Sequence, residues 1–284
     1  MAIKKHKPTS AGSRNRTSVQ YRGVITTKTP KKSLTKGFKR SVGRNNVGRI
    51  TTRHKGGGNK RLFRDIDFRY FKKDIPAKVK SIEYDPNRSG FIALISYQDG
   101  EKKYVLLPQS VKVDDKIIVS EKAPVVPGNR MIIKNIPVGT FVYNVELKPE
   151  GGAKLARSAG NYIEVVAQDE GMTNIKLPST EIRKISSKCW ASIGEVSNPE
   201  YRLQNRGKAG RNRHRGIRPT VRGSVMNPVD HPHGGGEGKQ GIGLRRGPKT
   251  RQGKLAYGVK TRKSKKYSNK LILTRRKTKR NTKK

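Results

Sequence analysis

Phe91-Ile92-Ala93-Leu94-Ile95-Ser96-Tyr97-Gln98-Asp99-Gly100-Glu101-Lys102-Lys103-Tyr104-Val105-Leu106-Leu107 is two apolar-rich runs joined through an Asp-Gly pair. Asp and Gly both tolerate positive φ, so Gln98 to Glu101 predicts a hairpin turn between strands over Phe91–Tyr97 and Lys102–Leu107. The preceding run, Ala77 to Tyr84, has the same β-branched, aromatic and aliphatic make-up and is separated by Asp85-Pro86-Asn87-Arg88-Ser89-Gly90, a cluster of turn formers. Lys116 to Ser120 predicts a further strand, and Ala123-Pro124-Val125-Val126-Pro127-Gly128 reads as a stiff boundary after it.

Short strands then resume over Phe141–Leu147, Tyr162–Ala167, Thr173–Leu177 and Glu181–Ile185, with Ala191–Val196 closing the set. Sustained helical periodicity is absent from this region apart from a candidate turn near Ala153 to Ala159. Many short strands at spacings of roughly 8–12 residues indicate a mainly β fold of small barrels or a sandwich, and two barrels in tandem is the reading adopted. Halves of roughly 65–70 residues lie near the lower limit for independent folding, so the two are expected to pack on each other. Trp190, the sole tryptophan, is expected to be a core or interdomain anchor rather than a base-stacking residue. Cys189 is the sole cysteine, which excludes an intrachain disulfide and suits a reducing compartment.

Outside this region the grammar is different. The chain of 284 residues carries a formal charge of +46. Residues 1–64 hold 19 Lys and Arg and no acid, residues 65–200 hold 20 against 18, and residues 201–284 hold 27 against 2. The middle is electrostatically ordinary, and nearly all the excess charge sits in two flanking extensions. With 31% hydrophobic residues overall, part of the chain lacks the means to build its own core. A polyanion is the natural partner. A membrane surface would need amphipathic helices, and none of useful length is found; no apolar run approaches the roughly 20 residues of a membrane span, and no signal-peptide core follows the start.

The N-terminal extension is densest at Gly43-Arg44-Asn45-Asn46-Val47-Gly48-Arg49 and at Arg53-His54-Lys55-Gly56-Gly57-Gly58-Asn59-Lys60-Arg61. Glycine lets a backbone approach phosphate closely, and flanking Arg and Lys supply charge and forked donors. Arg44, Asn45, Asn46, Arg49, Arg53, His54, Lys55, Gly56, Gly57, Gly58, Lys60 and Arg61 are therefore candidate nucleic-acid-contacting residues. Gly43 to Gly48 is spaced like a phosphate loop, but Arg49-Ile50 stands where a Lys-Ser/Thr pair is required, so the nucleotide-hydrolysing reading fails. In the C-terminal extension, Arg211 to Gly223 alternates guanidinium groups with turn formers, which nominates Arg211, Arg213, Arg218 and Arg222. Arg245 and Arg246, and Arg262 and Lys263 in the tail, extend the same set. Leu271-Ile272-Leu273 is a lone apolar triplet, expected to be a short strand or docking point, before Arg275-Arg276-Lys277 and Lys279-Arg280 end the chain.

Asn227-Pro228-Val229-Asp230-His231-Pro232-His233-Gly234-Gly235-Gly236-Glu237-Gly238 interrupts this basic run with two of the five histidines and the only two acids after position 200. As a metal centre it offers His231, His233, Asp230 and Glu237, but a structural zinc site usually draws on cysteine spacing that is absent here, and Pro232 restricts the geometry. As an enzyme site, Asp230 would orient His231 as a general base, yet no nucleophile stands at a recognisable spacing. The third reading is a stiffened loop in which the prolines fix the chain, Gly234, Gly235 and Gly236 leave room for a crowded backbone, and Asn227, His231 and His233 hydrogen-bond to RNA. Arg222 is a candidate ion-pair partner for Asp230 in this reading. Neither a metal nor a catalytic residue is assigned, and no cofactor is expected beyond Mg²⁺ that accompanies RNA.

Several stretches taken together resemble one family, the bacterial type of the universal large-subunit ribosomal protein two. They are Gly43–Thr51, Arg53–Arg61, Ser81–Ser89, Lys134–Thr140, Asn144–Pro149, Leu155–Gly160, Gly207–Arg211, Gly216–Gly223 and Met226–Gly238. The resemblance implies an OB-fold barrel followed by an SH3-like barrel, flanked by long irregular basic extensions that enter RNA. The corresponding division is 1–62 for the N-terminal extension, 63–126 and 127–200 for the two barrels, and 201–284 for the C-terminal extension. It implies a primary large-subunit rRNA binder with neighbouring ribosomal proteins as partners, in the ribosome of the cytoplasm. Its expected place is near the subunit interface, where a small-subunit contact is a further implied partner, and near the peptidyl transferase centre. The implied roles are subunit joining, tRNA binding and support of peptide-bond formation, with His231 at the position the family connects with that last role. His214-Arg215 and Lys249-Thr250-Arg251-Gln252-Gly253 depart from the family pattern.

The charge map supports a two-part mode of action, in which neutral barrels dock by shape and the extensions thread between RNA helices. Twenty extended residues span on the order of 70 Å. Affinity for folded rRNA is therefore expected to fall steeply with salt, by a log–log slope of roughly −0.7 to −0.9 for each phosphate neutralised. Filter binding between low and moderate salt measures it, and a slope near zero would contradict binding dominated by the extensions.

Overall fold

The computed structural model describes residues 3–37, 39–169, 171–237 and 239–276. Gly238 and the basic residues Lys277, Lys279 and Arg280 lie outside the described residues. The fold is mainly β, an OB-fold barrel followed by an SH3-like barrel. Compactness divides the chain into two units, one drawn from Met1–Lys39, Lys60–Lys208 and Lys270–Lys284, the other from Arg40–Asn59 and Ala209–Asn269.

The first unit begins with short antiparallel pairs that the sequence did not predict, β1 (Ile3–Lys5) with β2 (Thr17–Val19) and β3 (Thr35–Gly37) with β4 (Leu62–Arg64). The first barrel's sheet is built from β5 (Ala77–Glu83), β6 (Ile92–Tyr97), β7 (Lys102–Leu106) and β8 (Lys116–Ile117) in the order β7-β6-β5-β8, all antiparallel. The Asp-Gly hairpin forms as expected: Gly100 has φ +86°, and Tyr97 and Glu101 close the turn through an N–H···O bond of 2.9 Å. Lys72 grips both Asp99 and Glu101 at its tip.

In β5, Ala77 and Val79 point inward while Lys78 and Lys80 face solvent, as period-two alternation requires. A bulge between Val79 and Ser81 then resets the alternation, so that Ser81, Ile82 and Glu83 are all buried. The buried Glu83 carboxylate accepts hydrogen bonds from Ser81 Oγ (3.1 Å) and Tyr104 Oη (2.8 Å). Burial, with the carboxylate beside it, pushes the Tyr104 phenol up to about 12. Tyr104 Oη in turn accepts the backbone N–H of Lys31 at 2.8 Å, and three hydrogen bonds join Thr26 to Ile82. Tyr21, Val24 and Ile25 pack on the same core. The uncharged residues of the N-terminal extension thus tie it to the first barrel.

The second barrel contains β9 (Arg130–Ile132), β10 (Phe141–Tyr143), β11 (Val145–Glu146), β12 (Ala153–Leu155), β13 (Ile163–Asp169), β14 (Met172–Lys176), β15 (Ile182–Ser186) and β16 (Trp190–Ile193). A final strand, β17 (Ile272–Thr274), joins its edge, giving the order β17-β15-β14-β13-β10-β16-β9. The apolar triplet near the C-terminus is thus both strand and docking point. Two expectations are corrected here. The run Phe141–Leu147 is broken into β10 and β11 by Asn144, which adopts φ +50°, and the proposed helical turn at Ala153 is instead strand β12, paired with β11.

Between the two barrel cores lies a buried polar group. Arg130, 1% exposed, donates to Asn144 O at 2.7 Å and to Glu146 Oε1 at 3.0 Å, and its guanidinium sits 4.5 Å from the Tyr70 ring centroid. Glu146 Oε2 accepts the backbone N–H of Trp190 (3.3 Å) and of Glu150 (3.1 Å), while Tyr70 Oη accepts from Asn144 Nδ2 (2.9 Å). Burial lowers the Arg130 pKa, opposed by Tyr70 and Glu146, and raises the Tyr70 phenol to about 12. Trp190, from the second barrel's β16, packs into the cluster formed by Tyr70, Phe91 and Ile95, so the anchor role expected of it is met.

Removing one member of a buried ion pair leaves its partner's charge uncompensated, so Arg130→Ala should lower the unfolding free energy by about 3–5 kcal/mol. Urea unfolding followed through Trp190 fluorescence measures this, and a loss under about 1 kcal/mol would put the pair in the weak class typical of exposed ones.

Candidate nucleic-acid interface

The second unit is built differently. None of the buried hydrophobic residues belongs to Arg40–Asn59 or Ala209–Asn269, so among the described residues this unit has no apolar core. Turns, glycine contacts and backbone hydrogen bonds hold it together. Its N-terminal part is a small loop in which Arg44 and Ile50 pair as an isolated antiparallel bridge. Asn45 Oδ1 accepts the N–H groups of Val47 (3.1 Å) and Arg49 (2.9 Å), so Asn45 shapes the loop with its side chain while Arg44, Asn46 and Arg49 stay exposed. Gly43, at φ +83°, leaves no room for a side chain, since a Cβ there would meet Thr52 O at 2.1 Å.

The stretch Arg211 to Gly223, expected to be irregular, begins inside a short helix, α1 (Ala209–His214). Arg211, Arg213 and His214 occupy its last turn, where positive charge complements the exposed carbonyls. Gly216 ends it at φ +83°: Gly216 N bonds Arg213 O (2.9 Å) and Ile217 N bonds Asn212 O (3.0 Å), the paired pattern that a left-handed C-terminal glycine permits.

This helix end meets the Arg53–Gly58 stretch. Asn59 N donates to His214 O (2.8 Å), Gly56 N to Gly216 O (3.0 Å), and Arg218 N to His54 O (3.0 Å). Gly56, Gly57 and Gly58 are candidates for close approach to RNA, and Gly58 is also required within the protein. A Cβ on Gly58 would stand 2.6 Å from Gly216 N and 2.8 Å from His214 O, so this glycine serves a chain crossing. Gly57 has open space around its Cβ position, and Arg40 donates to its carbonyl. The crossing creates a concavity of about 390 Å³ lined by Arg44, Arg53, His54, Lys55, Gly57 and Arg218. Arg211 Nε and Arg213 Nη1 are buried without an acceptor among the described residues. Lys60 and Arg61 belong to the other unit, where Arg61 Nη1 donates to Pro86 O at 2.9 Å.

The histidine-bearing loop is tightly folded. Pro228 occupies a turn in which Asn227 O accepts the N–H groups of Asp230 (3.0 Å) and His231 (3.3 Å), and Gly235 N returns to Met226 O (3.1 Å). Gly234 lies against Asn227, whose carbonyl oxygen would be 2.2 Å from an added Cβ, and Gly235 at φ +77° lies against Pro228. Gly236, at φ +129°, lies beside the Gln240 side chain. His231 Nδ1 accepts the backbone N–H of His233 at 3.0 Å, which leaves the proton of the neutral ring on Nε2. His233 Nε2 accepts the N–H of Lys249 at 2.8 Å. Lys249 begins a hairpin closed by a Lys249–Leu255 bridge, so the segment that departs from the family pattern is the support of this loop. Asp230 faces Arg251 across 3.9 Å, and this replaces the pairing with Arg222 considered from sequence. Asn227, Arg222, Arg245 and Arg246 are exposed. Among the described residues no three His, Cys, Asp or Glu side chains converge as a metal site. In the tail, Lys263 is exposed, whereas Arg262 gives Nε to Asn269 Oδ1 (2.7 Å) and Nη2 to Ser268 Oγ (2.8 Å).

Partial burial of the ring, then His233, Arg53 and Arg251, lower the His231 pKa. A base whose folded pKa is depressed resists protonation only while folded. The loop's stability is therefore complete above the ordinary histidine range and declines as pH falls through it. Gly223 touches the ring so closely that an added Cβ would lie 2.4 Å from Nδ1. Gly223→Ala should displace the imidazole and raise its titration midpoint toward the ordinary value, measured by NMR of the His231 ring protons; an unchanged midpoint would mean that ring position does not govern it.

The comparisons with known proteins agree with this geometry. The family described as "Ribosomal Proteins L2, RNA binding N-terminal domain" matches residues 31–119, and "Ribosomal Proteins L2, C-terminal domain" matches residues 126–253. The large ribosomal subunit protein uL2 of Maricaulis maris (strain MCS10) is 53% identical over 275 residues, covering 97% of this chain and 98% of that protein.

Proposed function

Since the chain belongs to the ribosomal protein L2 family, we propose a division of labour for its parts within the large ribosomal subunit. It is a structural constituent of that subunit in the cytoplasm and binds its rRNA. The barrels, over 63–126 and 127–200, dock as preformed neutral shapes. The extensions, 1–62 and 201–284, supply most of the phosphate contacts and become fully ordered on RNA, trading conformational freedom for charge neutralisation.

The observation that carries this reading is the crossing of Arg53–Gly58 with Arg213–Arg218 in a unit without an apolar core. It collects guanidinium and ammonium groups from both extensions around one concavity, with backbone spacing held by glycines. Such a surface gains its stability from a polyanion. In this reading Arg44, Asn46, Arg49, Arg53, Lys55, Gly57 and Arg218 meet phosphate or ribose, joined by Arg211, Arg213, Arg222, Arg245, Arg246 and Lys263. Asn45, Gly56, Gly58 and Arg262 set the shapes that present them.

For the loop at 227–237, the proposal is positioning: His231, held as a neutral donor, fixes rRNA near the subunit interface and the peptidyl transferase centre, and chemistry belongs to the RNA. This supports subunit association, contact with the small subunit and neighbouring ribosomal proteins, tRNA binding and peptide-bond formation without turnover by the protein. Reconstituted large subunits carrying His231→Ala should lose assembly or subunit association at least as strongly as peptide transfer. Normal assembly and association with peptide transfer abolished would overturn the positioning role.

A further inference from the structure

Tyr267 is 73% exposed, yet it does not belong to a loose tail. It opens a single turn of 3₁₀ helix, Tyr267–Asn269, whose second residue, Ser268, is buried. Arg262 clamps that turn from the preceding segment, through Asn269 Oδ1 at 2.7 Å and Ser268 Oγ at 2.8 Å. Asn269 Nδ2 donates to Ser264 O and, at 3.3 Å, to Lys263 O, and Asn269 N returns to Lys266 O at 2.9 Å. A cation that would otherwise meet phosphate is spent on fixing the backbone beneath an exposed aromatic ring. Lys263, Lys265 and Lys266, all exposed, immediately precede it in the chain.

From this juxtaposition we propose that Tyr267 is a stacking platform for an unpaired nucleobase of RNA, with the adjacent lysines holding the flanking phosphates. The inference rests on the rRNA-binding reading above and adds a residue and a mode of contact to it. An exposed aromatic ring with low side-chain entropy, mounted on a pinned turn, loses little freedom on binding. Every base offers a π-face, so stacking needs no particular sequence, and lysine-rich surroundings select a nucleic-acid strand over an apolar protein surface. The stacking contribution is largely independent of salt, whereas each lysine–phosphate contact contributes to the salt slope.

The test uses the full chain and a folded large-subunit rRNA fragment, with affinity measured over a series of salt concentrations for the unaltered protein, Tyr267→Ala, Tyr267→Phe and Lys265→Ala. Tyr267→Ala should weaken binding by about 5- to 100-fold at every salt concentration and leave the slope unchanged. Tyr267→Phe, which keeps the ring, should bind within about twofold of the unaltered protein, and Lys265→Ala should reduce the slope by roughly 0.7 to 0.9. Unchanged urea unfolding of the Tyr267 variants, expected for an exposed side chain, confirms that folding is not what is being read. Unaltered affinity in Tyr267→Ala with the steep slope retained would overturn the stacking role and leave the rRNA reading standing. So would a Tyr267→Phe loss as large as that of Ala, which assigns the contact to the hydroxyl. Normal RNA affinity with defective incorporation into the particle would assign the ring to a protein neighbour and also overturn it. Loss of the salt slope in the unaltered protein is the separate result that removes the underlying reading.

Discussion

The Arg130–Glu146 pair is the interaction on which the first unit depends. A buried ion pair adds little net stability compared with well-packed apolar residues, because desolvation offsets most of the attraction. Its importance here is positional. Arg130 lies over Tyr70 and holds the Asn144 carbonyl, while Glu146 holds the backbone at Trp190 and Glu150. Every one of these bonds must be made for the charges to be tolerated in a dry interior, so the two barrel cores have one acceptable arrangement. Trp190 enters the first core in that arrangement.

The second unit obeys an opposite rule. It carries a dense positive charge, contacts made chiefly by backbone and, among the described residues, no buried hydrophobic side chain. Glycine does there what apolar packing does in the barrels, permitting approach closer than any side chain allows, at Gly58 against Gly216 and at Gly234 against Asn227. Packing specifies the first unit from within, whereas turns, glycine contacts and backbone hydrogen bonds specify the second. The two histidines of the loop fit this scheme as well, since both serve as hydrogen-bond acceptors for backbone N–H groups and so help to build the shape that they present.

Much of the barrel architecture was legible in the sequence because burial on one face imposes period-two alternation, and because Asp99-Gly100 has few conformations other than a turn. The charge map located the basic segments but not their grouping, since residues 1–39 and 270–276 belong to the unit that holds the barrels and only Arg40–Asn59 and Ala209–Asn269 form the other. What escaped has physical reasons. Strands of three residues such as β1 to β4 are too short to show a period, and β9 follows a Pro/Gly boundary that read as a break. Asn144 at positive φ splits a run whose composition is uniformly strand-like. At Gly58 the residue type was informative and its partner was not, since glycine signals close approach without saying to what. Lysine and arginine look alike in a charge count, and only the hydrogen bonds distinguish Arg262, turned inward to Asn269 and Ser268, from Lys263, left exposed.

The crossing at Gly58 has a consequence for biosynthesis. A chain made from its N-terminus presents Arg53 to Gly58 long before the segment that contains His214, Gly216 and Arg218 has been translated. The strands of the first barrel are all made by Ile117, whereas the basic loop waits for its partners until residue 218 of the 284 has been made. Completion of the concavity therefore marks the point at which synthesis has passed Arg218. A truncated product retains positive charge, yet it lacks the cradle that the two distant segments make together.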